Sequence, residues 1–371
     1  MVFTYSIAER DVERSSRMKI EQNVIQLMGE AEKRGVNDIH LLPRENKYQI
    51  YFRVSGHLVE HSVVSLKKGA QLIAYLKFLS NMDVGEKRFP QSGAKNMLIN
   101  GSNKSVRFST ITDFLHQESL VIRFLNQTQK RKLVQTCYFP NQVTVLKQLI
   151  EVKSGLILFS GPVGSGKTTT MFQLIKEFVG KENCQVFTIE DPVEIQETLF
   201  LQTQVNPKAG IGYDLLIKAS LRHHPDIIVV GEIRDQETAK MVIRAALTGH
   251  LIVSSIHAKN GEGVVKRLLE LGVSAQQIKQ SLIGVISQKL VPQYCPFCQG
   301  ECHLYCSFLA VYAKRSVIYE TLTGRELEGL MEGGDAQINL EKQTKSFNYY
   351  LRKAYSYGFI TKKSYRQYKI Q

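Results

Sequence analysis

No stretch of this 371-residue chain approaches the roughly 18–20 consecutive apolar residues of a membrane-spanning helix, which argues against an integral anchor of that kind. The N-terminus, MVFTYSIAERDVERSS, meets charge within ten residues and has no apolar h-region, which argues against a secretory signal and predicts a chain that stays in the cytosol. Six cysteines in a cytosolic chain of this length do not make a disulfide framework. Internal repeats and long low-complexity linkers are missing, and tryptophan is absent, from which nothing follows. What is there is an apolar fraction of 43%, too high for a disordered chain, in a length that suits two or three domains.

Charge is uneven. Of the net +14, residues 1–140 carry 21 basic and 13 acidic side chains, 141–290 carry 16 and 14, and 291–371 carry 11 and 7. The nearly neutral middle is flanked by basic segments, which suit nucleic acid, a membrane surface, an acidic partner or simply a solvated exterior.

The first part, 1–135, reads as a small α+β domain. Ile20, Val24, Ile25 and Met28 have helical spacing, and Gly35 supplies the stop. Asp38–Leu42 and Tyr48–Val54 read as strands, with a turn at Ser55-Gly56; residues 69–83 read as a helix, and Val106–Thr112 and Leu120–Leu125 as a second strand pair. From residue 136 the character changes. A helix over Gln142–Glu151 precedes Gly155–Ser160, a continuous apolar run, and similar runs recur at Gln185–Ile189, Ile227–Val230 and Leu251–Ser255. Unalternating apolar strands separated by helical segments predict a parallel sheet buried on both faces. Residues 263–293 read as mainly helical, and 291–371 as a cysteine cluster followed by a helical region.

GPVGSGKTTT at 161–170 follows the strand ending at Ser160 and precedes the helical stretch Met171–Val179, the context a phosphate loop requires. Gly161, Gly164 and Gly166, with Pro162, Val163 and Ser165 between them, let backbone N–H groups turn toward a polyphosphate, and the helix beginning at Lys167, Thr168 and Thr169 adds its N-terminal partial charge. Lys167 is placed for the β- and γ-phosphates and the Thr168 hydroxyl for Mg²⁺. Two acidic clusters end strands: Glu190 in TIEDPVE and Glu232 in IIVVGE. Gly231 stands where nucleotide sites usually carry Asp, so Glu232 is expected to act on the metal through water. The bland alternative for each is a turn or cap acid. His250 and His257 flank Leu251–Ile256, and an imidazole at the strand's C-terminal end could sense a γ-phosphate.

Together these segments resemble the secretion and pilus-assembly ATPase family, which includes type II secretion ATPases, pilus extension and retraction motors, and competence pseudopilus ATPases. GPVGSGKTTT is similar to its Walker A, TIEDPVE to its Asp box, LRHHPDIIVVGEIRD (221–235) to its Walker B and TGHLIVSSIHAKN (248–260) to its His box; the likeness runs from about residue 20 to 322. It implies an α/β fold, a RecA-like P-loop ATPase core over 136–290 with a PAS-like small domain before it. It implies ATP and Mg²⁺ as cofactors. Lys167 and Thr168 would hold phosphate and metal, Glu190 and Glu232 would place water and the metal shell, and His257, with His250, would report on the γ-phosphate. Arg107 and Arg123 match arginines that the family sends toward nucleotide from the small domain. Asp226 reads as a loop-fixing acid. QSGAK (91–95) departs from the family's QDGR.

The resemblance further implies a homohexameric ring on the cytoplasmic face of the membrane, driving a polytopic inner-membrane platform protein and, through it, pilin-like subunits. Direct nucleic-acid binding is not expected. The short N-terminus and the cysteines make the chain most similar to the competence pseudopilus branch of Gram-positive bacteria, which serves DNA uptake in transformation; retraction and type II secretion motors are the alternatives. A nucleic-acid-handling RecA-like ATPase and a nucleotide-gated adaptor are the other readings, disfavoured by the TIEDPVE and TGHL segments and by the presence of Lys167, Glu190 and Glu232. Cys295, Cys298, Cys302 and Cys306 suit tetrahedral Zn²⁺, with His303 as a substitute ligand, or else form a turn of reduced thiols. The tail, 336–371, with eight basic residues and six tyrosines, reads as helices packed through their rings rather than as a stacking platform.

Overall fold

In the computed structural model, which describes residues 7–54, 57–125, 132–303, 306, 308–310, 313–331 and 346–370, the chain divides into two units, Met1–Gln127 and Thr128–Gln371. The turn expected at Ser55-Gly56 and residues 336–345 of the tail lie outside the described residues.

Alternation builds the smaller unit. It contains α1 (Ile7–Lys33), β1 (Asp38–Arg44), β2 (Lys47–Val54), β3 (His57–Ser65), α2 (Leu66–Leu79), β4 (Gln91–Ile99), β5 (Ser102–Thr112) and β6 (Glu118–Phe124). The six strands form one antiparallel sheet in the order β3-β2-β1-β6-β5-β4. Ile39, Phe52, Phe108 and Ile122 lie on the face that buries against α1 and α2, with Met28, Leu72, Ile73 and Leu76 opposite them. Lys77 is fully buried in that layer, so its ammonium must be met: Nζ lies 2.6 Å from Glu118 Oε1 and donates to Glu86 O at 2.7 Å.

The larger unit runs α3 (Pro140–Ile150), β7 (Gly155–Ser160), α4 (Lys167–Val179), β8 (Val186–Glu190), β9 (Phe200–Gln204), α5 (Tyr213–Leu221), β10 (Ile227–Val230), α6 (Gln236–Leu247), β11 (Leu251–Ile256), α7 (Gly261–Glu270), α8 (Ala275–Ser281), β12 (Leu282–Pro292), β13 (Tyr294–Cys295), β14 (Gly300–Glu301), β15 (Arg315–Thr323), α9 (Arg325–Met331), α10 (Phe347–Ser356) and α11 (Lys362–Tyr368). Seven strands line up as β15-β12-β7-β11-β10-β8-β9, parallel except for the β12–β15 pair. Both faces are covered. Leu156, Leu158, Ile228 and Ile252 pack against α5 to α9, and Ile157, Phe159, Val229 and Val253 against α3 and α4. This is the RecA-like α/β arrangement.

One expectation is corrected. The stretch 263–293 is helical only as far as Ser281; from Leu282 it is the strand β12. Leu282, Ile283, Val285, Ile286, Leu290 and Val291 have spacings that a helix and a doubly buried strand both satisfy, so periodicity alone does not separate them. The C-terminal region likewise begins with strands before its helices. α10 and α11 then pack Phe347, Leu351, Ala354 and Ile360 on Phe139, Val291 and Ile318, with Tyr350, Tyr365 and Tyr368 around that cluster. Tyr355 and Tyr365 stack with centroids 5.3 Å apart, in line with ring packing as the tail's main business.

Candidate functional site

The parallel sheet sends β7, β11, β10 and β8 side by side in one direction, so the segments leaving their C-terminal ends converge where open α/β sheets hold ligands. The phosphate loop leaves β7. Gly161 has φ 144°, and a Cβ there would meet Gln288 O at 2.4 Å. Gly166 has φ 84° and sits as the left-handed N-cap of α4, a conformation that favours glycine. Pro162, Val163 and Gly164 are exposed at the tip, Ser165 is buried, and Lys167, Thr168 and Thr169 form the first turn of the helix. Thr170 N–H donates back to Gly166 O at 2.9 Å. Lys167 Nζ donates to Gly161 O at 2.8 Å and Pro162 O at 3.4 Å, and burial pulls its pKa down while Glu194 pushes it up. A left-handed turn closed to any Cβ, a helix N-terminus, a lysine at the mouth and a buried Ser165 hydroxyl with no partner among the described residues all fit a polyphosphate anion.

The acids stand on neighbouring strand ends. Glu190, the last residue of β8, is 3% exposed. Thr188 Oγ1 donates to its Oε1 at 2.7 Å, Gln202 Nε2 to the same oxygen at 2.9 Å, and Glu194 N–H to Oε2 at 3.4 Å. Burial raises its pKa against these donors, so this carboxyl has a raised proton affinity. Glu232 follows β10. Its Oε1 is paired with Arg234 Nε, its Oε2 lies 3.5 Å from His257 Nε2, and Arg234 Nη1 lies 3.7 Å from Asp191 Oδ2. Arg234 therefore ties the two acidic segments together. Gly231 is pinned between strands: its N–H donates to Ile189 O at 2.8 Å and its carbonyl accepts from Ser255 Oγ at 2.7 Å. A Cβ on it would lie 3.3 Å from Ile189 O and 3.4 Å from Tyr213 Oη, which leaves little room for a carboxylate.

His257, just past β11, thus joins the group, and its pKa is lowered by burial first and then by Lys167 and Arg234. His250 does not join it. Its carbonyl accepts from Gly155 N–H at 3.1 Å, which puts it at the opposite end of β11 and β7. Asp226 Oδ2 accepts from Gln185 N–H at 2.8 Å, the loop-fixing role expected of it. Arg107 and Arg123 belong to the smaller unit. They are directly paired on β5 and β6, on the face away from its helices, and Arg123 Nε lies 2.7 Å from the buried Asp38 Oδ1.

Sequence reading did not find Gln288, Arg234, Thr188 or Gln202. Arg234 stands inside GEIRD, where the motif marks only the acid; Gln288 carries no signal, because its strand also satisfies helical spacing.

The four cysteine sulfurs of Cys295, Cys298, Cys302 and Cys306 all lie within 4.8 Å of one another, and Cys295 Sγ is 3.9 Å from Cys306 Sγ. Zn–S bonds of about 2.3 Å imply sulfur–sulfur edges of about 3.8 Å in a tetrahedron, so the donor set fits. The Phe308 backbone N–H lowers the Cys306 thiol to about 7, and burial pushes Cys302 up to about 12. His303 is not in the group; its backbone carbonyl accepts from Lys314 Nζ at 3.1 Å.

Comparison with known proteins follows the same lines. The profile of the family described as "Type II/IV secretion system protein" matches residues 13–361. The chain is 38% identical over 349 residues to the competence protein ComGA of Bacillus subtilis (strain 168), covering 94% of this chain and 96% of that one. It is 38% identical over 277 residues to the type II secretion system ATPase E of Vibrio cholerae, covering 74% of this chain and 54% of that one. The crystal structure of the pilus retraction motor PilT with bound ADP superposes with a TM-score of 0.68 at 23% identity, over 94% of this chain and 97% of that one, a likeness of fold.

Proposed function

The chain belongs to the type II/IV secretion system protein family, and from that premise we propose that this secretion and pilus-assembly ATPase powers a competence pseudopilus for DNA uptake. The observation that carries the ATPase core is the convergence of the glycine loop, Lys167, Glu190 and Glu232 on one end of the sheet. The branch rests on the likeness to ComGA along nearly the whole of both chains.

ATP with Mg²⁺ supplies a phosphoanhydride whose terminal group passes to water, with the metal neutralising charge as it leaves. The chain's own residues do the rest. The loop amides bind phosphate oxygens, and Lys167, on a flexible stem, has the reach to leave Gly161 O for the β- and γ-phosphates. The Thr168 hydroxyl suits the metal. Gly231 stands where a directly ligating Asp would be, so Glu232 would act on the metal through water. Glu190, with one oxygen held by two donors and a raised proton affinity, orients the attacking water and accepts its proton. His257 reads the terminal phosphate beside Glu232. Arg107 and Arg123 are the residues that the family pattern assigns to phosphoryl charge, for which a guanidinium is suited. A homohexamer at the cytoplasmic face of the membrane, turning a polytopic platform protein that adds pilin-like subunits, is the assembly this reading needs; among the described residues no helix is long and apolar enough to cross a membrane.

Deleting the gene and restoring it tests the branch. Transformation falls to background in the deletion and returns with the intact chain. Normal transformation with lost pilus retraction or lost protein secretion assigns the chain to one of those motors instead.

The cysteine cluster is proposed to hold one Zn²⁺ that staples β13 and β14 beside the tail helices. Tyr294 N–H donates to Phe359 O at 2.8 Å and Ser364 Oγ to Glu301 Oε1 at 3.0 Å, so a loosened knuckle loosens α10 and α11. Metal analysis of purified protein is expected to return one zinc per chain, and a strong chelator to lower the melting temperature. Absence of stoichiometric metal leaves four reduced thiols.

A further inference from the structure

β12 runs beside β7 and carries its residues past the phosphate loop. Ile286 and Ser287 pair with Phe159 and Ser160, and the Ser287 and Ser160 hydroxyls lie 2.7 Å apart. The next residue, Gln288, arrives where β7 has already turned into the loop. It is 1% exposed, and its Nε2 donates to Ser165 O at 2.7 Å. Its own carbonyl lies 2.4 Å from where a Cβ on Gly161 would stand, and its Nε2 lies 3.6 Å from the same point on Gly166. One residue thus touches the loop's first glycine through its main chain and the loop's last turn through its amide.

A glutamine kept only to fill space would have both ends of its amide satisfied. Here Gln288 Oε1 is buried without a partner among the described residues. A buried unmet acceptor is a cost to the fold, so the amide is held in place for what its other end does. That end fixes a peptide plane. In a trans peptide the carbonyl of one residue and the N–H of the next point in opposite directions. Turning Ser165 C=O toward Gln288 aims Gly166 N–H the other way, away from Gln288.

We propose that Gln288 is a positioning residue that presets the phosphate loop by anchoring the Ser165–Gly166 peptide. It touches no phosphate. It removes the cost of turning that amide when the anion arrives, a gain in binding through preorganisation. The proposal rests on the ATPase reading above.

Gln288→Met keeps the length and apolar stem and removes the donor. The KM for ATP is expected to rise about five- to tenfold, the loss of one neutral hydrogen bond, with kcat within about twofold. Stabilisation by added ADP, measured against the same variant without it, falls in step with the weaker affinity. Gln142→Met is the structural control: Gln142 is also a buried glutamine, bonded to the main chain of Tyr319 and not to the loop. It is expected to lower the melting temperature and leave KM in place. Should Gln288→Met not fold, Gln288→Leu, which also removes the donor and adds no charge beside the loop, takes the same measurements. An unchanged KM, or a fall in kcat at constant KM, overturns the proposal while wild-type turnover stands. A wild-type protein without ATP turnover overturns the reading beneath it instead.

Discussion

Lys167→Ala abolishes ATP turnover and leaves the fold standing. The lysine opens α4, where alanine is at least as good a helix former, and its ammonium hydrogen-bonds, among the described residues, to the loop carbonyls of Gly161 and Pro162. No core contact goes with it, so the melting temperature moves by a few degrees at most. The ammonium is, however, the one cation that the loop itself carries. Its partial burial, which already lowers its pKa, means that its charge acts in a poorly screened place, where one lost charge-stabilising donor costs about a hundred- to a thousandfold in rate. Phosphate release by purified protein, with circular dichroism on the same sample, checks both halves. Turnover within threefold of wild type would refute the site. A collapsed melting curve would mean that Lys167 is a structural clamp on its own loop.

The catalytic strand ends were legible because burial on both faces leaves a crude signal. β7, β8, β10 and β11 are apolar without alternation, and each runs into a glycine, an acid or a histidine. The same physics hid β12. A strand covered on both sides has no period of two, and Leu282 to Val291 also satisfies helical spacing, so Gln288 went unseen. The edge strands failed for the opposite reason. β3 and β4 are half exposed, with His57, Glu60 and His61 in one and Lys95 and Asn96 in the other, and their pattern is too polar to stand out. Arg234 illustrates a third limit. Its motif was recognised, but a side chain's partners across the site, Glu232 and Asp191, are set by how strands β8 and β10 lie together. His250 marks the converse error: the resemblance set it beside His257 as a reader of the γ-phosphate, while strand direction keeps it at the opposite end of β11.

Glu232→Gln separates nucleotide binding from hydrolysis. The substitution keeps the side chain's size, and an amide oxygen can still accept from Arg234, so the local packing survives. What it loses is the negative charge, and with it the pull on a metal-bound water and the ion pairing with Arg234 and, when protonated, His257. Ground-state binding depends mainly on the loop and Lys167, so the affinity for ATP is expected to stay within about threefold. Hydrolysis depends on how charge is placed as the terminal phosphoryl departs, so kcat is expected to fall about a hundredfold or more. Equilibrium binding of a fluorescent ATP analogue and steady-state phosphate release, on one preparation, give the two numbers. Rates near wild type would leave Glu190 as the acid that matters and Glu232 as a partner that parks Arg234. Loss of binding together with rate would show that the Glu232–Arg234–Asp191 contact shapes the phosphate site itself, because Gly231 is too tightly pinned between β8 and β11 to absorb a change at its neighbour.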